Sequence, residues 1–277
     1  MDMPVIVRGL ELESRELNLG VTSQSILSSD VTGSNNVSLD LITLNSNAKY
    51  SLSLEKDSIG WLQVLQGSGV FDGYDIRLSS NEVVSLPLGF RGDFTASSDQ
   101  TKLLLAFVPE AERFDKNIDS IPTGLKTTDW SNEPVLKSEH DERTRIYLAT
   151  RTLSGTEAYR CEMIRYPIGT SAPDHHHEGA EHFQYVLKGT GTAMLDGKPC
   201  DLIKGDALYN FDHEVHSFRN NGSEEFIFVE FFVPGGCKTV WAPNANVCAW
   251  LPTGKDIHGR PPSRDIAYHV HGEDKDI

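Results

Sequence analysis

Apolar residues in this chain come in short runs of alternating polarity, set apart by clusters of Gly, Asn, Asp and Ser. The clearest runs are SLDLITL (38–44), IGWLQVLQG (59–67), EVVSLPL (82–88), KLLLAFVP (102–109), AYRCEMIRY (158–166), FQYVLKG (183–189) and EEFIFVEFFVP (224–234). A period of two over four to eight residues is the pattern of a half-buried strand. Asp72-Gly73, Asp196-Gly197 and Asn221-Gly222 fall between runs and read as hairpin turns. Only AERFDKNI (111–118) suggests a helix, and a short one. The pattern predicts an all-β protein.

Length sets the scale. The 277 residues are too many for one small barrel and suit two. At 38% hydrophobic and 23% charged residues the composition is that of a soluble globular protein. The formal charge of −15 disfavours nucleic acid and anionic membrane as partners. No apolar run is long enough to span a bilayer, and MDMPVIVRGLELESREL lacks a signal-peptide core. Cys161, Cys200, Cys237 and Cys248 show no CxxC spacing, so they read as reduced thiols of a cytoplasmic protein.

The chemistry concentrates in two histidine clusters. GTSAPDHHHEGAEHFQYVLKG holds His175, His177 and His182, and GDALYNFDHEVHSFRN holds His216. Imidazole is the commonest protein metal ligand, and a mononuclear site needs three or four donors converging on one point. Residues two apart on a strand face the same way, so His175 and His177 share a face and His176 points away. His182 can return on the next strand and His216 on a third. His213, three residues before His216, reads as a surface or hydrogen-bonding turn residue.

These runs resemble the paired motifs of the cupin superfamily, G-x5-H-x-H-x(3,4)-E-x6-G and G-x5-P-x-G-x2-H-x3-N. Gly169, His175, His177 and Gly189 match the first, and Gly205, His216 and Asn220 the second. His182 stands in the glutamate slot counted back from Gly189. Glu181 is its rival, fitting the spacing forward from His177 but leaving seven residues before Gly189. Strand parity to the glycine favours His182. Phe211 and His213 replace the proline and the second glycine of the second motif.

The resemblance implies two tandem double-stranded β-helix (jelly-roll) barrels, a bicupin, because the motif pattern recurs in the first half. Val64-Leu65-Gln66-Gly67 matches Val186-Leu187-Lys188-Gly189, and 87–92 takes the place of 211–216. No histidine precedes His140, however, and Gly60 and Gly92 stand where the second half has His182 and His216. The expected organisation is a barrel without metal ligands over 1–110, a linker over 111–145, a metal-binding barrel over 146–236 and an arm over 237–277. The arm carries Trp241, Trp250, His258, His269 and His271; it either wraps the other barrel or a partner subunit, or covers the metal pocket.

Parity places Gln184 and Val186 inward with His182, and Gln184 becomes a candidate partner for substrate or metal-bound water. The strand 159–166 turns inward either Arg160, Glu162, Ile164 and Tyr166 or Cys161, Met163 and Arg165. Similarity to small cupins favours the first set, which makes Glu162 the nearest acid or base in an otherwise apolar pocket. Four neutral imidazoles leave a divalent ion its full charge and open positions for a bidentate substrate. The expected cofactor is one divalent transition metal, iron or manganese first, with nickel, copper or zinc as alternatives. The leading expectation is a dioxygenase acting on a small organic substrate. A non-redox isomerase, lyase or hydrolase, and a non-catalytic ligand-binding cupin, are the alternatives. A homodimer through barrel edges is compatible with the family.

Overall fold

The computed structural model describes residues 4–74, 76–118, 123–273 and 277. The chain is built almost entirely from antiparallel strands in four sheets. It divides into two compact units. One comprises Glu11–Trp130 with Leu153–Ala158; the other comprises Met1–Leu10, Ser131–Thr152 and Tyr159–Ile277. Residues 111–130 of the expected linker thus fall in the first unit and 131–145 in the second, while 119–122 lie outside the described residues. No helix among the described residues is long and apolar enough to cross a membrane.

The first unit sets a seven-stranded sheet, with Ile59–Gln66, Thr101–Val108 and Ser38–Leu44 at its centre, beside a four-stranded sheet. Its core is a continuous cluster of Leu, Val, Ile and Phe that includes Leu52, Leu54, Leu62, Phe94 and Leu105. The expected helix at 111–118 forms only a 3-10 turn, Ala111–Arg113. Glu110 precedes it in a left-handed conformation and caps nothing with its side chain. Asp115 then accepts from Asn117 N (2.9 Å), a local bond that competes with helix propagation.

The second unit carries nine strands in one sheet. Their order is Val5–Val7, Ala207–Asn210, Glu181–Lys188, Phe226–Val233, Arg160–Tyr166, Thr144–Ala149, Leu136–Ser138, Ala249–Pro252 and His269–Val270. Facing residues come from a five-stranded sheet ordered Lys198–Ile203, Thr190–Leu195, His216–Arg219, His175–Glu178 and Lys238–Trp241. The arm is therefore part of this unit, adding one strand to the small sheet and two to the large one. Val5–Val7 closes the other edge of the large sheet, far from its neighbours in sequence. Arg8 fastens it with an ion pair to Asp206 at 2.6 Å.

Asp196 and Gly197 both take positive φ and join Leu195 to Lys198 in a two-residue hairpin turn. Asn221-Gly222 forms no such turn; Gly222 N donates instead to Asn220 Oδ1 (2.9 Å). Gly189 sits at φ +75, and a Cβ there would lie 2.2 Å from the carbonyl oxygen of Glu225. Gly189→Ala is expected to lower the unfolding free energy by about 3 kcal/mol, the upper range for such backbone strain. Gly236→Ala, where a Cβ meets nothing within 4 Å, is the control. Urea unfolding of both variants checks this.

Candidate metal centre

The small sheet of the second unit brings two histidine strands side by side, with His175 directly opposite His216. Burial along His175–Glu178 alternates, so His175 and His177 are inside and His176 is not. His182 enters from the large sheet, where it pairs with Asn210 and Phe232. Its ring stacks on Phe232 with centroids 5.0 Å apart. Glu181, on the opposite face, accepts the Tyr209 hydroxyl. His213 is exposed in the turn beside Asp212.

The four imidazoles His175, His177, His182 and His216 close on one volume. Ring centroids are 5.1 Å apart for His175 and His177, 4.5 Å for His175 and His216, and 4.8 Å for both His177–His182 and His182–His216. Three rings are fixed from behind. Nδ1 of His175 meets the Pro173 carbonyl (2.9 Å), Nδ1 of His216 the Glu214 carbonyl (2.9 Å), and Nδ1 of His177 the Thr239 hydroxyl (3.1 Å). A carbonyl at Nδ1 puts the proton there and leaves the Nε2 lone pair free, the arrangement that orients histidine ligands.

The inward atoms lack ordinary partners. His177 Nε2 is buried with no hydrogen bond, and His182 Nε2 and His216 Nε2 face each other at 3.3 Å. Burial pushes His175, His177 and His182 well below the usual histidine range, and His216 down to about 4. Neutral imidazoles turning lone pairs on one another are the donor set a transition ion fits.

A carboxyl stands within the same cluster. Ligand atoms of His177, His182, His216 and Glu230 all lie within 4.8 Å of one another, as do those of His175, His177 and His271, and of Glu162, Glu230 and His271. Glu230 sits mid-strand in Phe226–Val233, 3.8 Å from His182 Nε2. Gln184 is fully buried; its Nε2 donates to Glu230 Oε1 (2.6 Å) and its Oε1 accepts from Asn210 Nδ2 (2.9 Å). Burial and the nearby Glu162 push the Glu230 carboxyl up to about 8.

Glu162 faces inward with Ile164 and Tyr166, which join the barrel core. It is held by Arg145 at 2.9 Å and flanked by Arg160 at 3.9 Å. The expectation of an otherwise apolar pocket is corrected here: Arg143, Arg145, Arg160, Glu162 and Glu230 are all buried. Strand placement explains it: Arg145, Arg160, Glu162 and Glu230 take inward positions on strands, and Arg143 directly precedes the strand Thr144–Ala149. Sequence reasoning missed Glu230, Arg145 and His271. Glu230 did leave a signal as the one acid inside the run FIFVEFFV.

Behind His175 lies a small cavity of about 20 Å³, walled in part by Trp241, Trp250 and His271 of the arm. That is room for about one water-sized group.

Strand register shows why the first unit lacks such a site. There Gly92 lies opposite Leu52, as His216 lies opposite His175. Gly60 pairs with Leu86 and Phe107, as His182 pairs with Asn210 and Phe232. Leu62 pairs with Leu105 as Gln184 pairs with Glu230. His175, His182, Gln184, His216 and Glu230 thus have leucine or glycine counterparts in the first barrel, whereas Glu162, opposite Glu230, corresponds to Asp40, opposite Leu105.

Neutral imidazoles converging from the two sheets of a small antiparallel barrel define a class of protein: jelly rolls with a centre able to hold a single metal ion. Comparison with known sequences and structures agrees. The cupin domain family model matches residues 162–232. The oxalate-binding protein of Thermotoga maritima is 30% identical over 87 residues, 31% of this chain and 72% of that protein. Oxalate decarboxylase of Bacillus subtilis, in a single-substitution form, superposes with a TM-score of 0.69 at 14% identity, covering 86% of this chain and 79% of that one. The same enzyme at pH 4.6 gives 0.69 at 15% identity, covering 86% and 78%. The chain belongs to the cupin superfamily and has the two-barrel architecture of a bicupin.

Proposed function

We propose that the second barrel holds one divalent transition ion on His175, His177, His182 and His216 and uses it to cleave a small chelating carboxylate. When bound, the ion supplies Lewis acidity that polarises a ligand carboxylate or carbonyl. The observation that carries this reading is the buried Glu230 carboxyl beside the four-imidazole cluster, held in place by Gln184. The similar proteins include an oxalate-binding protein and an oxalate decarboxylase, which supports a small carboxylate as ligand.

The residues divide the work. His175, His177, His182 and His216 position the ion. Gln184 and Asn210 fix the rotamer of Glu230. Trp241, Trp250 and His271 of the arm line the cavity beside His175 and displace water there, which strengthens the charge interactions they border. In the cleavage, the bond to the departing carboxylate breaks and carbon dioxide leaves. The electron pair remains on carbon and takes a proton from Glu230, which recovers one from solvent. Glu162, locked between Arg145 and Arg160, keeps those guanidinium groups in place.

Glu230→Gln is expected to keep full metal content while turnover falls by about 10²–10⁴-fold, the range for losing a general acid or base. Loss of the ion from this variant would instead make Glu230 a ligand. A second reading, oxygen-dependent cleavage by a dioxygenase of iron or manganese, is favoured by the all-imidazole donor set, which stabilises the lower oxidation state. Turnover of short chelating carboxylates, measured with and without air, separates the two. Cleavage in strict anaerobiosis supports the lyase; substrate-dependent oxygen uptake supports the dioxygenase.

A further inference from the structure

Apart from Glu230, the polar groups around the cavity behind His175 are not used by the cleavage chemistry. Its wall includes Arg143, Arg145, Glu230, Trp241, Trp250 and His271. Three of these bear buried polar atoms with no hydrogen-bond partner: Nε of Arg145, Nε1 of Trp250 and Nδ1 of His271. All three side chains are more than nine-tenths buried. An unmet buried donor costs about 1–3 kcal/mol, so three around one cavity point to a ligand that satisfies them.

The donors identify the ligand. Arg145 and Trp250 can only donate, and the Arg145 guanidinium lies over the Trp250 ring at 4.3 Å. Arg143 adds a second guanidinium, whose Nε is paired with Asp141 at 2.7 Å while its other nitrogens meet only Tyr166 and Cys248. Both guanidinium groups are already matched by carboxylates, Arg145 by Glu162 at 2.9 Å and Arg143 by Asp141 at 2.7 Å. What the wall offers a ligand is donors without acceptors, Arg145 Nε and Trp250 Nε1, and such donors suit the oxygens of a carboxylate. The volume of about 20 Å³ admits a single small group and no ring. His175 lies on the same wall, so a group seated here borders the proposed metal centre.

We infer that this cavity is a second carboxylate subsite, formed by Arg145, Trp250 and His271, which selects short chelating acids bearing an additional distal carboxylate. It rests on the chelating metal site proposed above and deepens it by naming the substrate class. Two of its three donors come from the C-terminal arm, which makes the arm part of the recognition surface. His271 is placed by a backbone bond from its N to the Cys248 carbonyl (3.0 Å). His269, two residues earlier, is tied to the Tyr147 hydroxyl at 2.8 Å.

Calorimetry on the metal-loaded full chain tests this with lactate and malate, which share a chelating head and differ by a distal carboxylate. Oxalate, which has no third group, is the control. Malate is expected to bind about tenfold tighter than lactate, the effect of one charge-assisted pairing. Trp250→Phe and His271→Phe, each keeping bulk while removing the polar atom, should cost malate about five- to tenfold and leave lactate and oxalate unchanged. Equal binding of lactate and malate to the unmodified protein overturns the subsite, as does equal weakening of all three acids in both variants. Failure of oxalate as well as malate and lactate overturns the chelating site itself and the subsite with it.

Discussion

His216→Ala is expected to strip the ion from the purified protein, taking metal content from near one per chain to below about one tenth. Losing a partner behind a ligand already costs about 10–100-fold in affinity, and losing the ligand costs more. His216 is the most sensitive of the four. It lies opposite His175 in the sheet, faces His182 Nε2 at 3.3 Å, and is pinned by the Glu214 carbonyl. Alanine removes the donor that closes the cluster from the second motif and leaves three imidazoles on the other strands. His213→Ala, in the exposed turn three residues earlier, should bind metal as the unmodified protein does. Elemental mass spectrometry of the two variants decides it. Full metal content in His216→Ala would place the ion elsewhere, on the Glu162, Glu230 and His271 group.

Arg145→Met is expected to destabilise the second barrel by about 3–5 kcal/mol, the cost of leaving a buried charge without its partner. Arg145 is 1% exposed and Glu162 is fully buried. The pair at 2.9 Å lies between the inner faces of adjacent strands, with Tyr147 opposite Glu162. Methionine matches the length of the stem but supplies no charge. Arg160, at 3.9 Å, compensates only in part. Adding Glu162→Gln should restore much of the loss, because the orphaned carboxylate is then gone. Chemical unfolding of the single and double variants reads both values. A double variant no more stable than Arg145→Met alone would show that the loss comes from packing against Trp250 rather than from charge.

The centre was legible where spacing alone decides orientation. His175 and His177 share a face because strands alternate, and the inward side of His182, Gln184 and Val186 follows from the same rule. What stayed hidden depends on contacts between positions far apart in the chain. Glu230 and Arg145 sit in runs that read as plain core strands, and only the barrel shows that their inward faces meet. His271 follows a two-residue strand in a proline-rich segment, and no local pattern aims it at His175 and His177. The first barrel was legible as lacking histidine. That Leu52, Leu62 and Leu105 replace His175, Gln184 and Glu230 needed the pairing register.

The strand Val5–Val7 carries a consequence for how this molecule can be made and divided. It closes the edge at Ala207–Tyr209, and its anchoring pair, Arg8 and Asp206, is 198 positions apart. During synthesis these first residues emerge long before the edge they will cover, so the large sheet of the second barrel stays open on that side until late. A fragment beginning at Ser131 would hold all four metal-centre histidines yet leave the outer edge of Ala207–Asn210, the side away from Glu181–Lys188, without a partner strand. Open strand edges recruit other strands, so such a fragment should self-associate. A synthetic peptide spanning the first ten residues, supplied in trans, is the natural way to restore it to a single species.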